Sequence, residues 1–225
     1  SIRSGMRLYS GTTIKTDKES YAYISLDSGK AVKLGASSEG EVRRSGKKLE
    51  LNLISGELFF DVSIPLEEDE SLDIRTSTMV TGVRGTVGYV RVIDAFHSEA
   101  ALLEGTLTVR GSAYDAQNSG SRSVVITGGQ KAVGQGRPET PEAVTQISVL
   151  PLKEEEVPGF AAVEVKADTG IQERIEENSP LSVPKIIGDA QERLDAEEAA
   201  ANAADEKLRQ EMEKQEPAQE QPPDV

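Results

Sequence analysis

The sequence has no cysteine, no tryptophan and one histidine, and aromatic residues make up only 4% of its 225 positions. Without cysteine there is no disulfide, no thiolate nucleophile and no Cys-based zinc or iron–sulfur site. The lone His97 cannot build a multi-histidine metal centre. No motif places an activated nucleophile beside it, so it reads as a surface or loop residue. The scarcity of aromatics, with tryptophan missing altogether, speaks against a sugar-stacking cleft. No apolar run reaches the roughly 18 residues that a membrane-spanning helix requires. The sequence opens on Ser1 rather than Met, which leaves room for a signal or anchor segment upstream.

Positive charge is also in short supply: 25 Lys and Arg stand against 39 Asp and Glu, a formal net charge of −14. Such a chain repels phosphate backbones, so nucleic acid is not expected among its partners. The basic pairs Arg43-Arg44 and Lys47-Lys48 flank Gly46 and read as a solvated turn. The acidic excess is concentrated at the end, where Asp189–Val225 holds 12 acidic and four basic residues. Catalytic signatures are missing as well: there is no phosphate-binding glycine loop, no nucleophile elbow and no His-Glu-x-x-His. Glu67-Glu68-Asp69-Glu70 lacks the alternating oxygen spacing of a calcium loop. Gly128-Gly129-Gln130 follows a β run and reads as a turn. No catalytic residue, cofactor site or metal ligand is assigned, and the chain is read as a non-enzyme.

What is present is β structure. Hydrophobic residues amount to 36%, below the ~45–50% apolar share of ordinary globular chains, so one full-length core is not expected. Period-2 alternation runs through Ala22–Leu26, Leu49–Leu53, Leu58–Ile64 and Leu107–Val109. Each run stops at a turn signal such as Asp27-Ser28-Gly29, Ser45-Gly46-Lys47 or Glu104-Gly105. No amphipathic helical pattern interrupts them, which disfavours an α/β fold. The expectation is a mainly β domain over residues 1–150, either a β-solenoid or a two-layer β-sandwich of short strands with glycine turns. Ser112–Arg122 reads as an exposed hairpin insertion. Residues 151–188 read as a linker and irregular arm, with Phe160–Val165 either a last strand or the start of that arm. A charged, Ala/Glu-rich helix is expected over 189–215 and a disordered tail over 216–225, so that the chain ends in a helical and disordered acidic segment. The helix carries a narrow stripe, Leu194, Ala201 and Leu208. It is read as solvated or, alternatively, as a coiled-coil or docking helix.

Particular residues go beyond this pattern. Arg7–Thr16 followed by Ser20–Gly35 gives an Ile-x-Thr step, a strand, an Asp-x-Gly turn and a second strand. Leu53–Val62 carries a Leu-x-x-Gly-x-x-x-Phe-x-Val spacing, and Leu72–Thr76 leads into Val80–Thr86. Leu103–Val109 gives a Glu-Gly hairpin, and Gly128–Ala132 a closing Gly-Gln-x-Ala block. These five ordered blocks, over roughly residues 4–134, resemble the FecR domain family. The resemblance implies an extracytoplasmic β module. In characterised relatives that module passes the state of an outer-membrane siderophore receptor to a membrane-embedded regulator of an extracytoplasmic-function sigma factor. The cytoplasmic anti-sigma region, membrane helix and receptor-plug-like domain of that arrangement are not found within this sequence.

The expected function is therefore a non-enzymatic extracytoplasmic interaction or sensory module of a bacterial envelope protein, with a role in signal transduction. The alternative is a structural surface or stalk protein with a self-associating helical tail. Tyr21, Tyr23, Phe59 and Tyr89 are the candidate anchors of an interaction surface, because aromatic residues dominate binding hot spots. The expected partner is another envelope protein or a surface ligand, the location periplasmic or cell-surface, membrane-anchored or secreted, and the oligomeric state is left open.

Overall fold

A computed structural model describes residues 4–27, 30–64, 66–112, 123–136 and 146–215. The expected insertion, beyond Ser112, and the expected tail at 216–225 lie outside the described residues. Thirteen strands are described: β1 (Thr12–Lys15), β2 (Ala22–Asp27), β3 (Lys30–Leu34), β4 (Glu39–Ser45), β5 (Lys48–Val62), β6 (Ser71–Arg75), β7 (Met79–Val83), β8 (Val87–Asp94), β9 (His97–Glu104), β10 (Thr106–Gly111), β11 (Val124–Thr127), β12 (Gln130–Gln135) and β13 (Gln146–Pro151). They build two layers that share β5. One layer runs β1-β4-β5-β6-β7-β10-β11 and the other β2-β3-β5-β8-β9-β12-β13. Among the described residues every pairing is antiparallel except β5 with β6. Of the two expected architectures this is the two-layer sandwich. A solenoid would stack parallel strands, whereas short turns between consecutive strands favour antiparallel neighbours.

The long strand β5 joins the layers, and its sequence shows how. Leu51 and Leu53 point into the sandwich from its first half, whereas Leu58, Phe60 and Val62 do so from its second half. The inward face has changed from odd to even positions because the strand has crossed to the opposite layer. A one-residue slip of this kind moves every side chain to the other face. Gly56 absorbs it with φ +81°, and a Cβ there would sit 2.1 Å from Ser38 Oγ, so both backbone conformation and space call for glycine. The core between the layers is then filled by Ile14, Leu53, Ile74, Met79 and Leu107 from one side and Leu34, Phe60, Val90 and Leu102 from the other.

Residues 151–188 are not the expected linker and arm. They form a 3₁₀ turn (Glu154–Glu156) and three helices, α1 (Gly159–Ala167), α2 (Thr169–Asn178) and α3 (Val183–Ile187), followed by α4 (Ala190–Gln215). Phe160–Val165 is helical, not a strand. Its apolar side chains cover several sides of the helix because Gly159, Phe160, Ala161, Ala162 and Val165 are all buried. A short run that is apolar at all but one position carries no clear period by which strand and helix can be told apart. α2 has a clear start: the Asp168 carboxylate accepts hydrogen bonds from the Gly170 and Ile171 amides. The helices lie against the outer face of the second layer. There Phe59, Val87, Tyr89, Ala101 and Leu103 form a second core with Phe160, Val165, Ile171, Ile175, Val183 and Ile186. Leu194 of α4 packs on this core, while Ala201 is exposed and the side chain of Leu208 lies outside the described set.

Candidate interaction surface

Side-chain parity decides which residues the second layer offers to the outside. Ala22, Ile24 and Leu26 of β2 turn towards the sandwich core, so Tyr23 faces away from it. Strand register then sets a single row across the layer: Tyr23, Lys33, Phe59, Tyr89, Ala101, Lys131 and Leu150 are successive partners. Three of the four aromatic candidates thus share one row, and Tyr21 stands beside it, with its ring under the Lys33 ammonium.

The chain's own helices cover the middle of the row, where Phe59 and Tyr89 lie. Phe59 is 4% exposed and Tyr89 fully buried, and Tyr89 meets Phe160 edge-on with centroids 6.3 Å apart. The outer two tyrosines grip the helices through their hydroxyls. Tyr21 donates to Glu198 of α4, and Tyr23 donates to Glu164 Oε1 of α1 at 2.9 Å while keeping 69% of its surface exposed. Burial and the adjacent carboxylates raise both phenols above their ordinary values, Tyr23 to about 12.

Between them lies a residue that the aromatic search passed over. Lys33 is 3% exposed. Its ammonium is satisfied on every side: Glu164 Oε1 at 2.7 Å, the Phe160 carbonyl at 3.3 Å, and the Tyr21 ring at 4.3 Å to its centroid. A buried ammonium is tolerated only with such a set of partners. The signal was present in the sequence, since Lys33 shares the outward face with Tyr23 in an otherwise apolar stretch. Its partners come from α1, which was not expected to be a helix.

Further polar clasps tie the helices together and to the layer. The Glu197 carboxylate of α4 accepts from the Gly159 and Phe160 amides at 2.8 and 3.3 Å, capping α1 from another helix. Arg193 donates to the carbonyls of Glu154, Val157 and Ile186, binding α4 to the 3₁₀ turn and to α3. Arg174 of α2 donates to Asp61 Oδ1 at 2.6 Å and lies 3.8 Å from Glu104. Burial raises both of these carboxyls, against the pull of Arg174.

Glu57 adds a titratable group to the same seam. Burial raises its carboxyl to about 7; Arg91 of β8, with Nε 3.4 Å away, and Lys33 of β3 oppose this, and Glu197 of α4 reinforces it. Because the folded value lies above the ordinary 4.5, the neutral form is the one the fold favours. Glu57's contribution to stability is therefore complete below pH ~4.5 and is lost as the pH rises through about 7. Glu57→Gln, compared with the parent by urea unfolding, should gain about 2–3 kcal/mol more at pH 8 than at pH 5. An equal difference at the two pH values would remove burial of this carboxyl as the cause.

The other sequence features sit apart from this surface. His97 Nδ1 lies 2.7 Å from Asp94 at the β8–β9 turn. Gly46 is in the β4–β5 turn, where Lys47 pairs with Glu67 and Asp69. Gly128 and Gly129 form the turn between β11 and β12. Among the described residues no three His, Asp or Glu side chains converge as a metal site. No described helix is long and apolar enough to cross a membrane.

A comparison of sequences adds a resemblance to a known family. The model of the family described as FecR protein matches residues 12–108. Over those residues the chain resembles the FecR family. The matched segment runs from β1 into β10, so Lys33, Phe59 and Tyr89 fall inside it, and β11 to β13 and the four helices fall outside. A crystal structure of a proposed anti-sigma factor from Parabacteroides distasonis ATCC 8503 at 1.65 Å resolution is similar to this chain. It gives a TM-score of 0.49 and 15% identity, covering 66% of this chain and 64% of that one. A second such structure from the same organism, at 2.50 Å resolution, gives the same TM-score and identity over 66% and 63%. The chain thus spans less than two thirds of these neighbours' length. No curated protein matches the sequence.

Proposed function

We propose that this chain is a non-enzymatic regulatory module of the bacterial envelope that works outside the cytoplasm and passes a signal on by protein–protein contact. The observation that carries this reading is the FecR family match over residues 12–108. The helical layer supplies a physical route for the signal. It closes over an aromatic row, and its rim is held by ion pairs and hydroxyl contacts around Lys33, Glu164 and Glu198. Polar contacts of this kind exchange with a competing partner more readily than close-packed apolar ones, because water and the partner can satisfy the same groups.

Two measurements test location and role separately. The absence of native cysteine makes Ile93→Cys, at a site 61% exposed, a unique reporter for a membrane-impermeant maleimide. Labelling in spheroplasts without lysis is expected; labelling only after lysis would place the module in the cytoplasm. Deleting the gene should shift a confined set of transcripts, and an unchanged transcript profile under envelope stress would remove the signalling role. The exposed outer half of α4, including Ala203, Ala204, Glu206 and Lys207, supports a second reading as a structural stalk with a self-associating tail. Sedimentation with and without that half separates the two, since a monomer in both forms counts against the stalk.

A further inference from the structure

The sandwich is open along one side. β1 ends one layer and β2 the other, and among the described residues neither has a strand partner on its outer side. Between these edges lies a cavity of about 1260 Å³, walled in part by Ile24 and Leu26 of β2, Leu49 of β5 and Leu72 of β6. It exceeds the ~300–1,000 Å³ typical of small-ligand pockets. Ile24, Leu26 and Leu49 pack against the main core yet remain only partly buried, so apolar surface is left for an occupant.

The charge at the mouth is unlike that of the chain as a whole. Lys15, Lys30 and Lys47 line it, but each is paired with a carboxylate, of Glu39, Glu70 and Glu67 respectively. Arg7 and Arg44 also line it, and among the described residues neither meets a carboxylate; the Arg44 Nε donates to the Gly46 carbonyl. A chain of net charge −14 thus keeps two guanidinium groups that meet no carboxylate among the described residues beside an apolar cleft and a strand edge.

We propose that the β2 edge and this cleft form the docking site for an extended, acidic-flanked apolar segment of a partner protein, which adds as a further strand beside β2. The open backbone groups of β2 would pair with the segment's main chain, and every second side chain would enter the cleft. Flanking carboxylates would meet Arg7 and Arg44, whose planar forks bind carboxylates in pairs. The register shift between Ser25 and Asp27 confines regular pairing to the first residues of β2, so a short segment suffices. Charge selects among occupants. A second copy would bring its own Arg7 and Arg44 to the same seam, and a neutral apolar ligand would leave both the guanidinium groups and the strand edge unused. The site stands on this edge and cleft alone, independently of the signalling role.

The probe is a fluorescein-labelled peptide with a Val-Thr-Val-Thr-Val centre and two acidic residues at each end, titrated into the full chain and followed by anisotropy. Saturable binding is expected, with added hydrogen-exchange protection at β2. It should weaken at least about tenfold in the Arg7→Glu, Arg44→Glu double variant, whose two exposed sites leave the circular dichroism spectrum unchanged. It should disappear when alternate amides of the peptide are N-methylated. Absence of saturable binding would overturn the proposal. So would equal binding of the N-methylated peptide, which indicates an apolar pocket. A dimer that the peptide does not disperse would assign the edge to a second copy.

Discussion

Replacing Phe160 with alanine should lower the stability of the chain by about 3–5 kcal/mol, the range for emptying a fully buried aromatic site. The ring is completely buried, packs edge-on against Tyr89 and lies 6.0 Å from the Lys33 ammonium. Its loss leaves a void above the sheet and removes one of the aromatic faces that make a buried lysine tolerable. Urea unfolding followed by circular dichroism at a helix-sensitive wavelength gives the value directly. A loss below about 1 kcal/mol would mean that the helical layer is not part of the cooperative core. Phe160→Leu, which keeps most of the volume, should fall well short of the alanine effect.

The second large effect concerns a single hydrogen atom's worth of space. Gly159 opens α1 where α4 crosses it, and a Cβ there would lie 2.1 Å from the Leu194 amide nitrogen and 2.5 Å from its Cα. These are backbone atoms, so no side-chain rotation relieves the clash. In Gly159→Ala the two helices must separate. The Glu197 cap on α1 and the Arg193 bonds to three carbonyls depend on that close approach and are expected to break with it. Hydrogen exchange should quicken about a hundredfold over the first three turns of α4, equivalent to about 2.7 kcal/mol. The amides of the sandwich should keep their protection, since the clash is confined to this crossing. Unchanged exchange in α4 would show that the crossing does not hold the helix. Quickened exchange throughout the sandwich would show that the substitution unfolds the chain rather than loosening one helix.

Comparing the two substitutions separates packing from latching. Phe160→Ala weakens what lies beneath the helices, whereas Gly159→Ala loosens one helix from another and leaves the aromatic row covered by α1. Both act on the layer that the regulatory reading treats as movable.

The strands were legible because alternation is a local property. Ala22, Ile24 and Leu26 point one way and Tyr23 the other whatever the rest of the chain does, so a mainly β domain, solenoid or sandwich, follows from period and turn residues alone. The phase change between Leu53 and Leu58 was written in β5 as well, as was the continuous apolar run Ala100–Leu103, which marks a strand buried on both faces. Other features were not local. Phe160–Val165 is apolar at every position but Glu164, and so short a run, buried at Phe160, Ala161, Ala162 and Val165, lacks the periodicity that would identify it as a helix. Lys33 reads as an ordinary outward lysine until Glu164 and the Phe160 carbonyl, distant in sequence, close over it. The sequence by itself determined a mainly β domain of short strands with glycine turns and an acidic helical end. Only the tertiary structure decided that Phe59 and Tyr89 are covered by the chain's own helices and that β2 ends its layer with an open edge. Strand period is set by neighbours one and two residues apart, whereas coverage is set by which distant segments fold back onto a face.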